Sequence, residues 1–327
     1  VSKSFCACVE QLNMAAASDS IVLLQGETGT GKELAARYIH EHSARRNALF
    51  LVVDCSALTG TSFETEVFGQ ADDTFNNGTG ENAGLFSRAD AGTLFLDNIG
   101  ELGYSLQAKL LRALETGQYR QVGGRKLLQS NARIVCASNR HLWEAVLAGH
   151  FREDLYYRVA CLNIQVPKLC DRLDDIPLLA EKLLECASRN RQQDYHLTPE
   201  AIQRLKNYHY PGNVRELRNI LDVAITHTGS NVIDNETIQK AIFQLSRARE
   251  QSHSTIQDTA NPSMHAPRSA TAIGDNSTGE NTSLSDVEAQ HINVLLHRYD
   301  GNRREVASAL GISERTLYRK LKRYHLS

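Results

Sequence analysis

The sequence predicts an α/β protein with a mostly parallel sheet, followed by smaller all-helical parts. In residues 1–168, short apolar runs alternate with amphipathic stretches, the pattern of a parallel sheet covered by helices. Residues 169–246 keep the helical periodicity but contain no further strand-like runs. Residues 247–283 are rich in Ser, Thr, Asn, Gln and Gly, which predicts a flexible linker, and residues 284–327 return to helical periodicity.

The elements of the α/β domain follow from the hydrophobic pattern. Apolar runs predict buried strands at Ile21–Leu24, Phe50–Asp54, Thr93–Asp97 and Arg133–Ser138. Amphipathic spacing predicts helices over Glu33–Ile39 and Ser105–Glu115.

The small helical domain contains four amphipathic stretches. They lie at Ile176–Cys186, Pro199–Asn207, Val214–His227 and Glu236–Leu245. Thr198 is a suitable N-cap, because a proline follows it at the first helical position.

The C-terminal domain has the pattern of a helix-turn-helix. Helices are predicted at Asp286–Arg298, Arg304–Leu310 and Glu314–Tyr324, the last two joined by a short turn that contains Gly311. Residues 301–327 hold seven Lys or Arg and two Glu. This local positive excess, on a chain of net charge −2, favours DNA binding over a plain three-helix docking domain.

Composition narrows the class of protein. The chain of 327 residues is 41% hydrophobic and 23% charged, as in ordinary globular proteins. No apolar run approaches the roughly 18 residues of a membrane span, and the N-terminus lacks the layout of a secretion signal. The seven cysteines form no C-x-x-C pair, which predicts free thiols in a reducing compartment. We therefore expect a cytoplasmic protein that has no membrane partner.

A phosphate-binding loop lies between the first predicted strand and helix. The segment fits the pattern G-x-x-x-x-G-K, whose glycines let backbone N–H groups surround a phosphate while the helix start and the lysine add positive charge. The predicted nucleotide-binding residues are Gly26, Glu27, Thr28, Gly29, Thr30, Gly31, Lys32 and Glu33.

Polar residues end two later strands. Asp97 is suited to hold Mg²⁺, directly or through water. The next residue is Asn98, whose amide can orient water but cannot accept its proton, so slow or absent hydrolysis is predicted. Asn139 follows another strand and could contact the γ-phosphate or the attacking water.

Three arginines are candidate phosphate-charge sensors. Arg152 and Arg158 lie in a Phe-Arg-Glu-Asp-Leu-Tyr-Tyr-Arg segment, and arginine is the residue that stabilises transferring phosphoryl charge from a neighbouring subunit. Taken alone, surface ion pairing would be the simpler interpretation. Arg215 lies in the first turn of a helix of the small domain and could report the nucleotide state to it.

Together these motifs resemble the bacterial enhancer-binding proteins, the sigma-54-dependent activator family. The motifs that carry the resemblance are GETGTGKE (26–33), AGTLFLDNIGEL (91–102), ASNR (137–140), FREDLYYR (151–158) and YPGNVREL (210–217). Residues 286–324 resemble the Fis-type helix-turn-helix. The resemblance implies an AAA+ domain with a helical lid, ATP or ADP with Mg²⁺, homo-oligomers (dimer or ring), promoter DNA and RNA polymerase holoenzyme. It also implies that Lys32 and Thr30 bind phosphate, Asn139 is a sensor, Arg152 and Arg158 are candidate arginine fingers, and Arg215 is a second sensor.

The chain departs from that family at two places. Family members usually have Asp-Glu where this chain has Asp97-Asn98. The family loop GAFTGA, which grips sigma-54, is replaced by Asp73-Thr-Phe-Asn-Asn-Gly78, which adds a charge and removes glycines from a loop that needs a flexible tip. Neutral drift in a working loop is the alternative explanation.

Three functions are compatible with these motifs. The first is a DNA-binding regulator with impaired hydrolysis that acts with the housekeeping polymerase and, like biofilm regulators of the VpsR type, responds to cyclic di-GMP. The second is a conventional ATP-hydrolysing sigma-54 activator. The third, a P-loop kinase or other metabolic enzyme, is disfavoured by the DNA-binding tail.

The C-terminal helix-turn-helix domain is predicted to place its last helix in the major groove of DNA. The residues expected to contact DNA, mostly at bases near the helix start and at phosphates near its end, are Arg304, Ser313, Arg315, Thr316, Arg319, Lys320, Lys322 and Arg323.

Overall fold

The computed structural model describes residues 1–57, 60–71, 83–191 and 193–259, together with Arg303 and Leu317. Residues 1–261 form one compact unit and residues 262–327 a second. The predicted nucleotide-binding residues all lie in the first unit.

The first unit begins with an α/β domain. Its helices are α1 (Lys3–Ala16), α2 (Lys32–Glu41), α3 (Gly60–Phe68), α4 (Leu85–Arg88), α5 (Tyr104–Thr116), α6 (Leu142–Leu147) and α7 (Glu153–Val159). Its strands are β1 (Val22–Gln25), β2 (Phe50–Asp54), β3 (Thr93–Asp97), β4 (Gln118–Tyr119), β5 (Leu128–Gln129), β6 (Arg133–Ser138) and β7 (Leu162–Gln165).

Five of these strands form one parallel sheet in the order β2-β3-β6-β1-β7. Every residue of β1 and β6 is buried. One hydrophobic cluster, which includes Leu23 and Leu96, covers one face of the sheet, and a second, which includes Leu24 and Phe95, covers the other. Burial on both faces explains the continuous apolar runs of the sequence, and the predicted α/β fold is confirmed.

The helical lid follows. It contains α8 (Ile176–Arg191), α9 (Pro199–Lys206), α10 (Asn213–His227) and α11 (Asn235–Thr259), packed around its own apolar cluster. The Thr198 hydroxyl caps α9 by accepting from the backbone N–H of Ala201, as predicted. Two short strands, β8 (His196–Leu197) and β9 (Val232–Ile233), pair in parallel, although no strand was predicted here.

Two other features differ from the sequence predictions. The last lid helix was expected to end at Leu245 but continues to Thr259, so residues 247–259 of the predicted linker are helical. Residues 235–246 pack against α9 and α10, and helical structure started there propagates at little further cost. The N-terminal helix α1 was not predicted; it buries Cys8 and Leu12 against the sheet.

All seven cysteines are free, as predicted. Across the described part of the chain, no helix is both long and apolar enough to cross a bilayer.

Candidate nucleotide-binding site

The phosphate-binding loop connects β1 to α2, as predicted. Gly29 and Gly31 have φ of +80° and +102°, in the left-handed region that glycine adopts without strain. Gly31 directly precedes the first turn of α2, so the loop delivers its backbone N–H groups to the positive end of that helix.

Lys32 is held inside its own loop. Its Nζ donates to the carbonyl oxygens of Gly26 at 2.8 Å and Glu27 at 2.9 Å, and to the amide oxygen of Asn139. The side chain is buried, and removal from water lowers the pKa of its ammonium group, while Asp97 acts in the opposite direction. Three oxygen acceptors keep the charge in place at the mouth of the loop, where a phosphate could be bound.

The carboxyl ends of β2, β3 and β6 bring three polar side chains together. Asp54 and Asp97 end neighbouring strands in register, and Asn139 follows β6. Burial raises the pKa of the Asp97 carboxyl, and the N–H of Asn98, which donates to it at 2.9 Å, opposes this shift. Asp54 was missed by the sequence analysis. Its place at the end of a parallel strand could have indicated it, since ligands bind at that edge of such sheets.

Asn98 lies between Asp54 and Asn139 in a directed chain of hydrogen bonds. Its Nδ2 donates to Asp54 Oδ1 at 3.1 Å, and its Oδ1 accepts from Asn139 Nδ2. Asn139 in turn accepts from Lys32. The amide orientation of Asn98 is therefore set by a donor on one side and an acceptor on the other, and its backbone φ of +55° aims it there.

The hydrogen bonds around Asp54 favour the ionised form of its carboxyl. It accepts from the Ser56 hydroxyl at 2.6 Å and from the Ser56 N–H at 2.9 Å, in addition to Asn98. These hydrogen bonds, the Ser56 hydroxyl first, lower the pKa of the Asp54 carboxyl against the effect of burial.

The donor set fits Mg²⁺ with a triphosphate. Mg²⁺ is usually held by one or two carboxylates together with substrate phosphates and water. Asp97 would supply the carboxylate, and no group of three His, Cys, Asp or Glu side chains forms a separate metal cage within the described ranges. Thr30 is buried, and its hydroxyl donates to the Glu27 carbonyl at 2.8 Å, which braces the loop that would face the phosphates.

The lid contacts the phosphate-binding loop through the start of α10. The N–H of Val214 donates to the Gly29 carbonyl at 2.9 Å, and Asn213 Nδ2 donates to the Thr28 carbonyl at 3.1 Å and to Glu27. Arg215, in the first turn, is exposed and close enough to Lys32 to lower the pKa of that lysine. A change in the conformation of the loop would therefore alter hydrogen bonds to the lid directly.

Two further lid-side contacts were not predicted. Arg172, which is buried, donates to the Thr30 carbonyl at 3.1 Å, and Lys168 pairs with Glu27 at 2.7 Å. Only the folded chain brings these residues to the loop, because they are more than 130 positions from it and belong to no recognisable motif.

Arg152, the N-cap residue of α7, and Arg158, in the last turn of that helix, have different surroundings. Arg158 donates through Nε and Nη2 to the Leu114 carbonyl at 3.1 and 2.6 Å, so it braces the end of α5. Arg152 is partly exposed, pairs with Asp154 at 2.7 Å and lies over the ring of Tyr104. The role of each arginine as a finger in a neighbouring subunit stays a prediction.

The altered loop, residues 73–78, lies outside the described residues. So do the predicted DNA-contacting residues Arg304, Ser313, Arg315, Thr316, Arg319, Lys320, Lys322 and Arg323. Leu317, in the middle of the predicted last helix, is helical and buried.

The parallel sheet, the loop and the lid define the class as an AAA+ P-loop nucleotide-binding protein. Residues 1–165 match the Sigma-54 interaction domain, residues 170–255 the AAA+ ATPase lid domain, and residues 283–324 the bacterial regulatory protein, Fis family. The chain belongs to the bacterial enhancer-binding protein family of transcription regulators, and the resemblance noted in its sequence is confirmed.

Similar proteins match nearly all of the chain. The transcriptional regulatory protein ZraR of Salmonella typhimurium is 36% identical over 316 residues, which are 96% of this chain and 66% of ZraR. The regulatory protein AtoC of Escherichia coli is 38% identical over 94% of this chain and 63% of AtoC. The crystal structure of NtrX from Brucella abortus in complex with ATP has a TM-score of 0.65 at 25% identity, over 99% of this chain and 68% of NtrX. The chain thus spans about two thirds of the length of these relatives.

Proposed function

We propose that this chain is a DNA-binding transcription regulator that binds ATP with Mg²⁺, hydrolyses it slowly, and acts with the housekeeping RNA polymerase. The observation that carries the proposal is that Asn98 occupies the position after Asp97 and that both polar atoms of its side chain are hydrogen-bonded. Its amide nitrogen already donates to Asp54 and its amide oxygen accepts from Asn139. Neither atom can take a proton from an attacking water, and a positioned general base contributes about 10²–10⁴-fold to such reactions.

Nucleotide binding itself is supported by the other half of the site. The loop glycines have the required backbone conformation, and Lys32 is fixed at the loop mouth. NtrX, which shares this fold, was crystallised with ATP. Asp97 would hold the Mg²⁺, which neutralises phosphate charge. ATP or ADP would then serve as a ligand that sets the lid position through Gly29 and Val214.

The choice of polymerase rests on the loop at residues 73–78. Its Asp73, Asn76 and Asn77 replace the small uncharged tip that the resemblance associates with sigma-54 contact. Promoter DNA would be bound by the basic C-terminal tail. Assembly into a dimer or ring would bring a neighbour's Arg152 towards the nucleotide.

A conventional ATP-hydrolysing sigma-54 activator is the second candidate. It is favoured by the match of residues 1–165 to the Sigma-54 interaction domain and by relatives such as UacR of Escherichia coli, which is named as a putative uric acid sigma-54-dependent transcriptional regulator.

Transcription in a purified system separates the two candidates. The promoter is first located by footprinting, and sigma-54 and housekeeping holoenzymes are then compared with ATP and with a non-hydrolysable analogue. We expect transcript from the housekeeping holoenzyme with either nucleotide. Transcript only from the sigma-54 holoenzyme, and only with hydrolysable ATP, would establish the conventional activator instead.

Cyclic di-GMP is proposed from the resemblance to VpsR-type regulators alone. Calorimetric titration of the full chain with cyclic di-GMP, and with GMP as control, tests it. Saturable binding of the dinucleotide only is expected; no heat above the GMP control would remove this ligand from the proposal.

A further inference from the structure

Asp54, at the end of β2, carries a carboxylate beside position 98, where this chain has an amide. Asp54 is paired in register with Asp97, the predicted Mg²⁺ ligand, on the neighbouring strand. The backbone N–H of Cys55 donates to the Asp97 carbonyl at 3.0 Å, which continues the pairing beyond the strand end. Asp54 is therefore fixed at the same edge of the sheet as the phosphate-binding loop, and its side chain is exposed.

The Asp54 side chain is held in one orientation by its neighbours. Its Oδ1 accepts from the Ser56 hydroxyl, the Ser56 N–H and the Asn98 amide. A carboxylate fixed by three donors is oriented before substrate binds, which is the arrangement that positions water effectively.

Asn98 and Asp54 together form a pair that contains one amide and one carboxylate. The amide donates to the carboxylate, and the other side of the amide connects through Asn139 to Lys32. In this pair the negative charge is on the β2 residue, and the residue after β3 is neutral. In this chain the carboxylate therefore lies at the end of β2, and a hydrogen bond joins it to the amide that follows β3.

We propose that Asp54 is the catalytic residue that orients and deprotonates the attacking water in this chain. This inference rests on the proposed ATP site. The water oxygen forms a bond to the γ-phosphorus as the bond from that phosphorus to the bridging oxygen breaks, and the electron pair leaves on ADP. The proton of the water passes to the Asp54 carboxylate and then to solvent, and phosphate is released. Turnover is slow because the base stands one strand away from its usual position.

If Asp54 is the base, exchanging the residues at positions 54 and 98 should preserve activity; a site without any base would not predict this. Asn98→Glu alone would place a second carboxylate against Asp54, and like charges at hydrogen-bond distance disfavour ionisation of both. The exchange Asp54→Asn with Asn98→Glu keeps one amide and one carboxylate, with the charge returned to position 98. The double variant should therefore be more active than either single variant.

The test uses the full chain and two measurements. Single-turnover hydrolysis of γ-labelled ATP gives the rate, and the dissociation constant for ADP with aluminium fluoride, which mimics the transferring phosphoryl group and its water, gives a readout that needs no turnover. Binding of ATP is measured in parallel. The variants are Asp54→Asn, Asn98→Glu and the double exchange, and Asp222→Asn on α10, paired with Arg218, is the matched control.

We expect Asp54→Asn to lower the rate at least 100-fold and to weaken ADP–aluminium fluoride binding at least tenfold, with ATP binding within threefold of wild type. The double exchange should recover the wild-type rate or exceed it, and Asp222→Asn should change nothing. A rate for Asp54→Asn within threefold of wild type, with ATP still bound, would overturn this inference and leave the proposed regulator intact. Failure of the wild-type chain to bind ATP would overturn both.

Discussion

The two halves of the nucleotide site differ in how their polar groups are buried and held. The phosphate-binding half, Gly26–Lys32, has the expected backbone and a buried lysine, and it is tied to the lid by Val214. The water-facing half consists of Asp54, Asn98 and Asn139, whose side chains form a polar chain near the surface. Under the proposed function, nucleotide binding and hydrolysis depend on different strand ends of the sheet and can therefore be altered separately.

The largest expected effect is on the binding half. Lys32→Ala removes the buried ammonium that the loop holds for phosphate, and loss of such a preorganised charge costs about 3–4 kcal/mol, or 10²–10³-fold in affinity. Titration with a fluorescent ATP analogue measures it. Lys182→Ala, which removes an exposed lysine paired with Glu185 in the lid, is the control and should bind as wild type. Affinity of the Lys32 variant within threefold of wild type would contradict the assignment of this half.

A smaller effect is expected where the loop meets the lid. Gly29→Ala places a Cβ 2.3 Å from the Gly212 carbonyl oxygen, at a φ of +80°. Left-handed strain and the backbone clash together should cost about 2–4 kcal/mol in the free energy of unfolding.

Gly123→Ala separates the strain from the clash. Gly123 has a φ of +75°, and a Cβ there would have no atom within 4 Å. Chemical denaturation should therefore show only the strain, about 1–2 kcal/mol, for Gly123→Ala. Equal losses in the two variants would mean that the lid does not press on Gly29.

Arg152 and Arg158 should differ in their effect on stability. Arg158→Ala leaves the Leu114 carbonyl at the end of α5 without its two donors and should cost about 1–2 kcal/mol. Arg152→Ala breaks a pair with Asp154 that solvent screens, so its cost should be smaller than that of Arg158→Ala. Thermal unfolding compares them. A greater loss for Arg152→Ala would reverse the assignment of structural and surface roles.

The smallest effect concerns the water-facing half. Ser56→Ala removes the hydroxyl that contributes most to the lowered pKa of Asp54, so the pKa of Asp54 should rise towards its ordinary value of 3.8. A carboxyl with a lowered pKa stabilises the folded state at neutral pH, and this contribution disappears as the pH falls through that pKa. The difference in unfolding free energy between wild type and Ser56→Ala should therefore shrink below about pH 3.8. A difference that is constant from pH 7 to pH 3 would contradict this.

The sequence predicted the fold and the position of the phosphate-binding loop, because both have local signals. Thr93–Asp97 is a strand from end to end, and the loop glycines lie where a motif places them. The water-facing half was only partly predictable. Asn98 was identified by its neighbour Asp97, but its partner Asp54 is 44 positions away and is brought to it only by strand pairing.

Helix ends were also poorly predicted, for a different reason. The helix α11 was expected to stop at Leu245, where its apolar periodicity weakens, and yet it continues to Thr259. Periodicity reports which residues pack, whereas helix length also depends on backbone hydrogen bonds that need no apolar partner. The hydrogen bonds from Asn213 to Glu27 and Thr28 were not predicted. No feature of the local sequence around either partner indicates that the two segments meet.

We propose that this site binds ATP but hydrolyses it slowly. The most direct test mixes the full chain with γ-labelled ATP below saturation and follows bound and hydrolysed nucleotide in the same samples. We predict saturable binding with a hydrolysis rate of about 10⁻³–10⁻¹ s⁻¹, at least about 10²-fold below the roughly 10 s⁻¹ of a typical enzyme, because position 98 carries an amide and no carboxylate. Hydrolysis near 10 s⁻¹ by the wild-type chain would contradict it.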